Sequence, residues 1–299
     1  MTRGYSTIVV REKLIEALHQ SKTGLTGIEI AEKLGINRVT MSKYLKIFVA
    51  EGLIRQKNMG SVNLWFIEEG VDQFSFPADY FQVKNKYMEY VLSASSHEAH
   101  TLIRTSLHSG ATPAKLVSEV IIPVMNAVEN SYNNGKIGKS EKNLLDGIIS
   151  TSSSLISLSE EEADPKKNVV ILATDYQNAL LAQAVSAAFH SEKWKVSLLG
   201  DVSSAIDVMF DIDLQRFLNK LWPKQDGIMI IVIFASKEAE IRFFSQAVDA
   251  SKEKFRKNLH LAFCTKITKK TKMNADFVSD NIETLLQWCQ TVFESSQNQ

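Results

Sequence analysis

Two sets of side chains in this sequence carry chemistry that a partner could use. The first lies between residues 37 and 57. Asn37, Arg38, Val39, Thr40, Ser42, Lys43 and Lys46 fall within one stretch of helical pattern, and Arg55 and Lys57 follow it. Amide, hydroxyl, guanidinium and ammonium groups spaced this way can read hydrogen-bonding edges and neutralise a polyanion. The second set follows two apolar runs in the last third of the chain: Asp175-Tyr176-Gln177 and Asp201-Val202-Ser203-Ser204. A run of lysines, Lys266, Lys269, Lys270 and Lys272, reads either as a solvated loop or as an anion contact. No Ser/His/Asp or Cys/His set is recognisable, so no catalytic residue and no enzyme activity are expected. His97 and His100 stand at i,i+3, a spacing that can hold a metal, but no third ligand joins them in the pattern and no metal is expected. Residues 201–204 lack the glycines of a phosphate loop. Cys264 and Cys289 show no CxxC spacing and sit among apolar residues, as inert core thiols of a reducing compartment do.

The elements that must position the first set are short. Residues 6–21 repeat apolar side chains at helical spacing. Thr26 with Glu29 has capping-box spacing before the helix GIEIAEKL. Gly35-Ile36 turns the chain, Asn37 caps a third helix, and Gly52 ends it. Residues 53–57 and 62–67 read as a hairpin around Asn58-Met59-Gly60. Three helices and a hairpin make a winged helix-turn-helix over residues 1–70. Its third helix places Met41, Leu45 and Phe48 on the core side and Val39, Lys43 and Lys46 opposite. Near the helix start, Arg38, Thr40, Ser42 and Lys43 can reach base edges, while Lys46, Arg55 and Lys57 can reach phosphates. Residues 1–70 hold ten Lys/Arg and seven Asp/Glu, a net of +3, against zero for the whole chain. Double-stranded DNA is the expected partner; a solvated face or a protein-docking module is the bland alternative.

Residues 68–79 form a linker. Residues 80–158 read as a four-helix bundle with helices at 80–95, 96–109, 112–133 and 139–158; Pro113 starts the third and Pro123 should kink it. Residues 159–167 are a charged linker. An α/β domain occupies 166–299. NVVILAT, the helix at 178–190 and the strand at 194–199 make a right-handed βαβ unit. Short helices follow near 206–210 and 214–221. Strands at 227–234, 259–264 and 275–278 alternate with helices at 237–254 and 281–294, which completes a flavodoxin-like five-stranded parallel sheet. Ligands of such sheets bind at the carboxyl ends of the strands. No apolar run approaches the ~18 residues of a membrane span, and the first ten residues contain no signal-peptide pattern, so a cytoplasmic protein without membrane contact is expected.

Residues 80–299 resemble the cobalamin-binding module of methionine synthases, corrinoid methyltransferase proteins and light-sensing cobalamin repressors. The resemblance rests on Leu199-Gly200-Asp201 after the second strand, and on Gly110, Pro113, Ile122-Pro123-Val124-Met125 and Gly135 in the helical cap. It implies a cap over a parallel sheet, with cobalamin between them. Four positions depart from the family. Gln177 stands at the cobalt-ligating His and Leu180 at the following Gly. After the third strand Ser236 is present, but no Thr follows at the family's spacing. Cys264-Thr265 replaces Gly-Gly after the fourth strand. With Gly135 in register, Tyr132 takes the place of the Trp that covers the corrin, and Lys142 and Asn143 replace an acidic-His pair. The resemblance therefore places a ligand cleft at Tyr132, Asp175, Tyr176, Gln177, Asp201, Ser236 and Lys266, with no cofactor expected and cobalamin excluded.

The order of DNA module, cap and cobalamin-type domain looks like that of the light-sensing repressors, although their DNA module is of another type. The expectation is a transcription regulator whose C-terminal module serves oligomerisation or senses a small-molecule or protein effector. Half-sites on DNA imply a homodimer or tetramer. Two alternatives stay open: a corrinoid protein of methyl transfer, and an adaptor that docks proteins through its winged helix.

Overall fold

The computed structural model describes residues 7–21, 24–50, 53–60, 62–67, 74–158, 162–205, 210–255, 258–266 and 274–297. The chain divides into two compact units, Met1–Phe76 with Arg104–Gly110, and Pro77–Ile103 with Ala111–Gln299.

The first unit builds three helices and a small antiparallel sheet. Helix α1 is Thr7–His19, strand β1 is Leu25–Thr26, α2 is Gly27–Leu34 and α3 is Arg38–Ala50; β2, Arg55–Met59, and β3, Val62–Phe66, complete it. The expected capping box is present. Thr26 Oγ1 accepts from the Glu29 N–H at 3.2 Å, and the Thr26 N–H donates to Glu29 Oε2 at 2.8 Å. Those two Thr26 contacts hold the Glu29 carboxyl below the usual carboxylate range. Gly35 closes α2 in the left-handed region at φ 68°, where glycine meets no Cβ penalty. The core is Val10, Leu14, Leu18, Ile30, Met41, Leu45, Phe48 and Trp65.

Two details depart from the sequence reading. Leu25 pairs with Trp65 and Thr26 with Leu64, giving a third strand where only a cap is legible. A two-residue strand carries no periodicity of its own; Trp65, buried across from it, supplies the partner. The hairpin also runs further, to a Met59–Val62 pair, so the turn narrows to Gly60, at φ 63°, and the residue after it. The Gly52 helix end falls outside the described residues, as does most of the 68–79 linker.

The second unit opens with a helical cap. Helix α4 is Tyr80–Leu92, α5 is Ser96–His108, α6 is Pro113–Lys115, α7 is Ile122–Asn133 and α8 is Lys139–Ser157. Between α6 and α7 the backbone widens into a π turn over Leu116–Ile121. This is the form that the expected kink takes. Pro123 has no N–H, and its ring crowds the carbonyl four residues back. The wider turn, in which the Ile122 N–H bonds to the Val117 carbonyl, draws that carbonyl aside. His100 is half-buried rather than exposed, because its Nε2 donates to the Ile148 carbonyl at 3.3 Å.

The α/β layer follows. Strand β4 is Asp164–Ala173, α9 is Tyr176–Ser191, β5 is Trp194–Asp201, α10 is Phe210–Leu221, β6 is Ile228–Phe234, α11 is Glu238–Phe255, β7 is Leu259–Cys264, β8 is Phe277–Ser279 and α12 is Ile282–Gln297. All pairings are parallel, in the order β5-β4-β6-β7-β8, so the order reverses between β4 and β6. Strand β4 begins inside the expected linker, because the Asp164 N–H bonds to the Lys193 carbonyl at 2.8 Å. The expected helix near 206–210 lies largely outside the described residues. Apolar residues fill both faces of the sheet. Val170, Leu172, Ile231 and Phe263 pack on one side, and Val169, Ile171, Phe189 and Trp194 on the other. No helix among the described residues is long and apolar enough to cross a membrane.

Candidate functional site

In the first unit, the side chains of α3 divide cleanly. Met41, Leu45 and Phe48 are buried, Phe48 stacking on Tyr44 at 6.0 Å. Val39, Ser42, Lys43 and Lys46 face solvent, and Thr40 is half-buried. Asn37 caps the helix, its Oδ1 accepting from the Val39 N–H at 2.9 Å. Arg38 Nη2 lies 3.2 Å from Glu32 Oε1, an exposed pair of the kind that contributes little and yields readily to a competing anion. Arg55 and Lys57 are exposed on β2.

The second unit contains a cleft of about 390 Å³ above the carboxyl ends of β4, β6, β7 and β8, roofed by α7 and α8. Its floor is Tyr176, Gln177, Asn178 and Leu180 of α9, Ala235-Ser236, and Cys264-Thr265-Lys266; Met125, Asn126, Glu129, Lys142 and Asp146 come down from the cap. Lys142, at the position of an acid in the family resembled, is buried and doubly paired. Its Nζ lies 2.6 Å from Asp146 Oδ2 and 3.2 Å from Glu129 Oε2. Burial works against the ammonium, but the two carboxylates outweigh it and raise the Lys142 pKa. Gln177 Nε2 donates to Glu129 Oε1 at 2.9 Å. A polar chain therefore runs from α9 through α7 to α8 and ties the sheet edge to the roof.

A second set of bonds closes the strand ends. Asp175 Oδ1 accepts from the Asn178 N–H at 2.8 Å and caps α9, while its Oδ2 accepts from Asn178 Nδ2 at 2.7 Å. Asn178 Nδ2 donates also to Ser236 Oγ at 2.8 Å. Asn281 caps α12 in the same way, accepting from the Thr284 N–H at 3.1 Å. Two helix N-termini that could bind an anion are thus occupied by the chain's own side chains. Cys264 is buried, which pushes its thiol up to about 12; burial also raises Cys289. Neither is a nucleophile at neutral pH.

Of the expected cleft residues, Tyr176, Gln177, Ser236 and Lys266 line the cavity and Asp175 braces it. Tyr132 and Asp201 do not line it. Tyr132 lies almost a turn beyond Glu129 on α7. Asp201 ends the edge strand β5, away from the cleft, where its Oδ1 accepts from the Ser203 N–H at 2.8 Å. Lys269, Lys270 and Lys272 lie outside the described residues. Glu129, Asp146 and Asn178 are the residues that sequence reasoning missed. Asp146 stands four residues after Lys142, a pairing visible in the sequence. Glu129 meets Lys142 only through the packing of α7 on α8. Among the described residues no group of three or more His, Cys, Asp or Glu side chains could hold a metal ion.

The architecture, a helical cap on a five-stranded parallel sheet, is similar to that of corrinoid proteins. The monomethylamine corrinoid protein of Methanosarcina barkeri superposes with a TM-score of 0.53 at 12% identity, over 71% of this chain and 99% of that one. The methanol:cobalamin methyltransferase complex of Methanosarcina barkeri gives a TM-score of 0.37 at 11% identity, over 73% of this chain and 82% of that one. No protein-family model matches the sequence, and no curated protein matches it either.

Proposed function

We propose that the protein is a DNA-binding transcription regulator. In this reading α1, α2, α3 and the β2–β3 hairpin form a winged helix-turn-helix, and the corrinoid-type module pairs copies or senses a small ligand without a corrin. The observation that carries it is the division of α3, with an apolar buried face and Val39, Ser42, Lys43 and Lys46 turned to solvent beside Arg55 and Lys57. That is the layout of a recognition helix with phosphate contacts beside it. The working unit is a homodimer or tetramer, which reads two half-sites roughly 34 Å or a multiple apart. The protein binds and does not catalyse.

Anisotropy with a random-sequence duplex pool at several salt concentrations tests this. Lys46→Ala should weaken all sequences alike and reduce the slope of log K against log salt by about 1. Arg38→Ala should relax sequence preference. Salt-independent binding, or none, sinks the reading.

The fold likeness to a monomethylamine corrinoid protein favours a second reading, a methyl-transfer corrinoid carrier. The residues present do not fit that group. Gln177 is engaged with Glu129, and an amide is a poor substitute for imidazole on cobalt. Leu180, Cys264 and Thr265 fill the slot where a nucleotide tail needs small residues, and overpacking such a slot moves backbone. A cleft of about 390 Å³ lies at the low end of the ~300–1,000 Å³ that drug-sized ligands occupy, and a corrin with its tail is far larger. It suits a small polar ligand. After incubation with hydroxo-, methyl- or adenosylcobalamin, the gel-filtered protein should carry no corrin absorbance. Stoichiometric absorbance would put the carrier reading first. An adaptor that docks proteins through the winged helix would bind neither duplex nor corrin.

A further inference from the structure

We propose that the hairpin tip acts as an apolar wedge in the minor groove and bends the duplex; this rests on the DNA-binding reading above. All five residues of β2 are exposed, so this strand has no buried side. The register then sorts the hairpin into two faces. Arg55 pairs with Phe66, Lys57 with Leu64 and Met59 with Val62 on one face, while Gln56 pairs with Trp65 and Asn58 with Asn63 on the other. Trp65 is buried, so the second face looks to the core at the hairpin base. The outward face carries two cations along its stem and an apolar pair at its end.

Met59 is 56% exposed and Val62 44%. Gly60 between them adds no bulk. No carboxylate occurs from Leu53 to Ile67, so nothing in the hairpin repels a phosphate. At about 3.4 Å per residue, Met59 extends roughly 13 Å beyond Arg55. The cations can rest on the backbone while the tip enters a groove about 6 Å wide and 7.5 Å deep. An unbranched thioether can slide between base pairs, where apolar side chains unstack a step and kink the helix by about 20–90°.

The test is end-to-end energy transfer in a ~30-bp duplex with central TA steps, which kink readily, labelled at both ends and bound to the full chain. Wild-type protein should raise the transfer. Met59→Ala should still bind, about ten-fold more weakly, without raising it. Lys57→Ala should lower the salt slope and keep the full rise at saturation. Full bending by Met59→Ala, or wild-type binding without bending, overturns the wedge and leaves the DNA reading intact. Failure of the wild type to bind any duplex overturns both, and makes the tip a protein contact.

Discussion

Replacing Lys142 by Met should cost about 3–5 kcal/mol of stability, the range for removing one partner of a buried ion pair. The side chain of Asp146 is 7% exposed and that of Lys142 9%. Without the ammonium, Asp146 is left with an uncompensated charge at the cleft wall, and Glu129 keeps only Gln177. The sign follows from desolvation: a lone buried carboxylate has lost its water and gained nothing in return. Replacing both members, Lys142→Met with Asp146→Leu, should recover much of the loss, because an apolar pair of similar volume has no charge to leave stranded. Urea unfolding of the two variants checks this. A single-variant loss below about 1 kcal/mol would mean that the pair is hydrated in solution.

The second large effect is expected at Gly227, which opens β6. Its φ is 71°, and a Cβ built there falls inside the van der Waals shell of the Lys166 backbone. Gly227→Ala should therefore cost about 1–2 kcal/mol for the left-handed conformation and about 1–3 kcal/mol more for the displaced backbone. Gly135→Ala is the control. Gly135 has nearly the same φ, 68°, with nothing near the added methyl, so only the conformational part applies. Equal shifts in denaturation midpoint for the two variants would rule out the close approach to Lys166.

The parts of this fold that were legible in the sequence are those with a period. NVVILAT announces a covered strand, and β4 contains it. Met41, Leu45 and Phe48 announce the buried face of α3, and all three are buried. The capping box at Thr26 and Glu29 is a four-residue pattern and is found intact. What was not legible depends on partners far along the chain. Strand β1 exists because Trp65 lies across from Leu25. Glu129 belongs to the cleft because α7 packs on α8 and because Gln177 reaches it from another layer. The resemblance placed Lys142 in the roof, and Asp146 one turn away could have been named as its partner. Tyr132 was misplaced relative to the cleft because a register carried over from another family does not specify how far a helix extends past a cavity.

The π turn ahead of Pro123 has a consequence for how this chain tolerates change. A π turn holds one residue more than the α-helical turn it replaces. It works as a phase buffer: the flanking helix segments keep their rotational setting although the chain between them is longer by one. Elsewhere in the cap, losing a single residue would rotate everything downstream by about 100°, and would swing Met125, Asn126 and Glu129 away from the cleft. Within Leu116–Ile121 the same loss can be absorbed by the turn tightening, so the roof keeps its facing. Length variation in this helix is cheapest next to its proline, and the cleft is insulated from it.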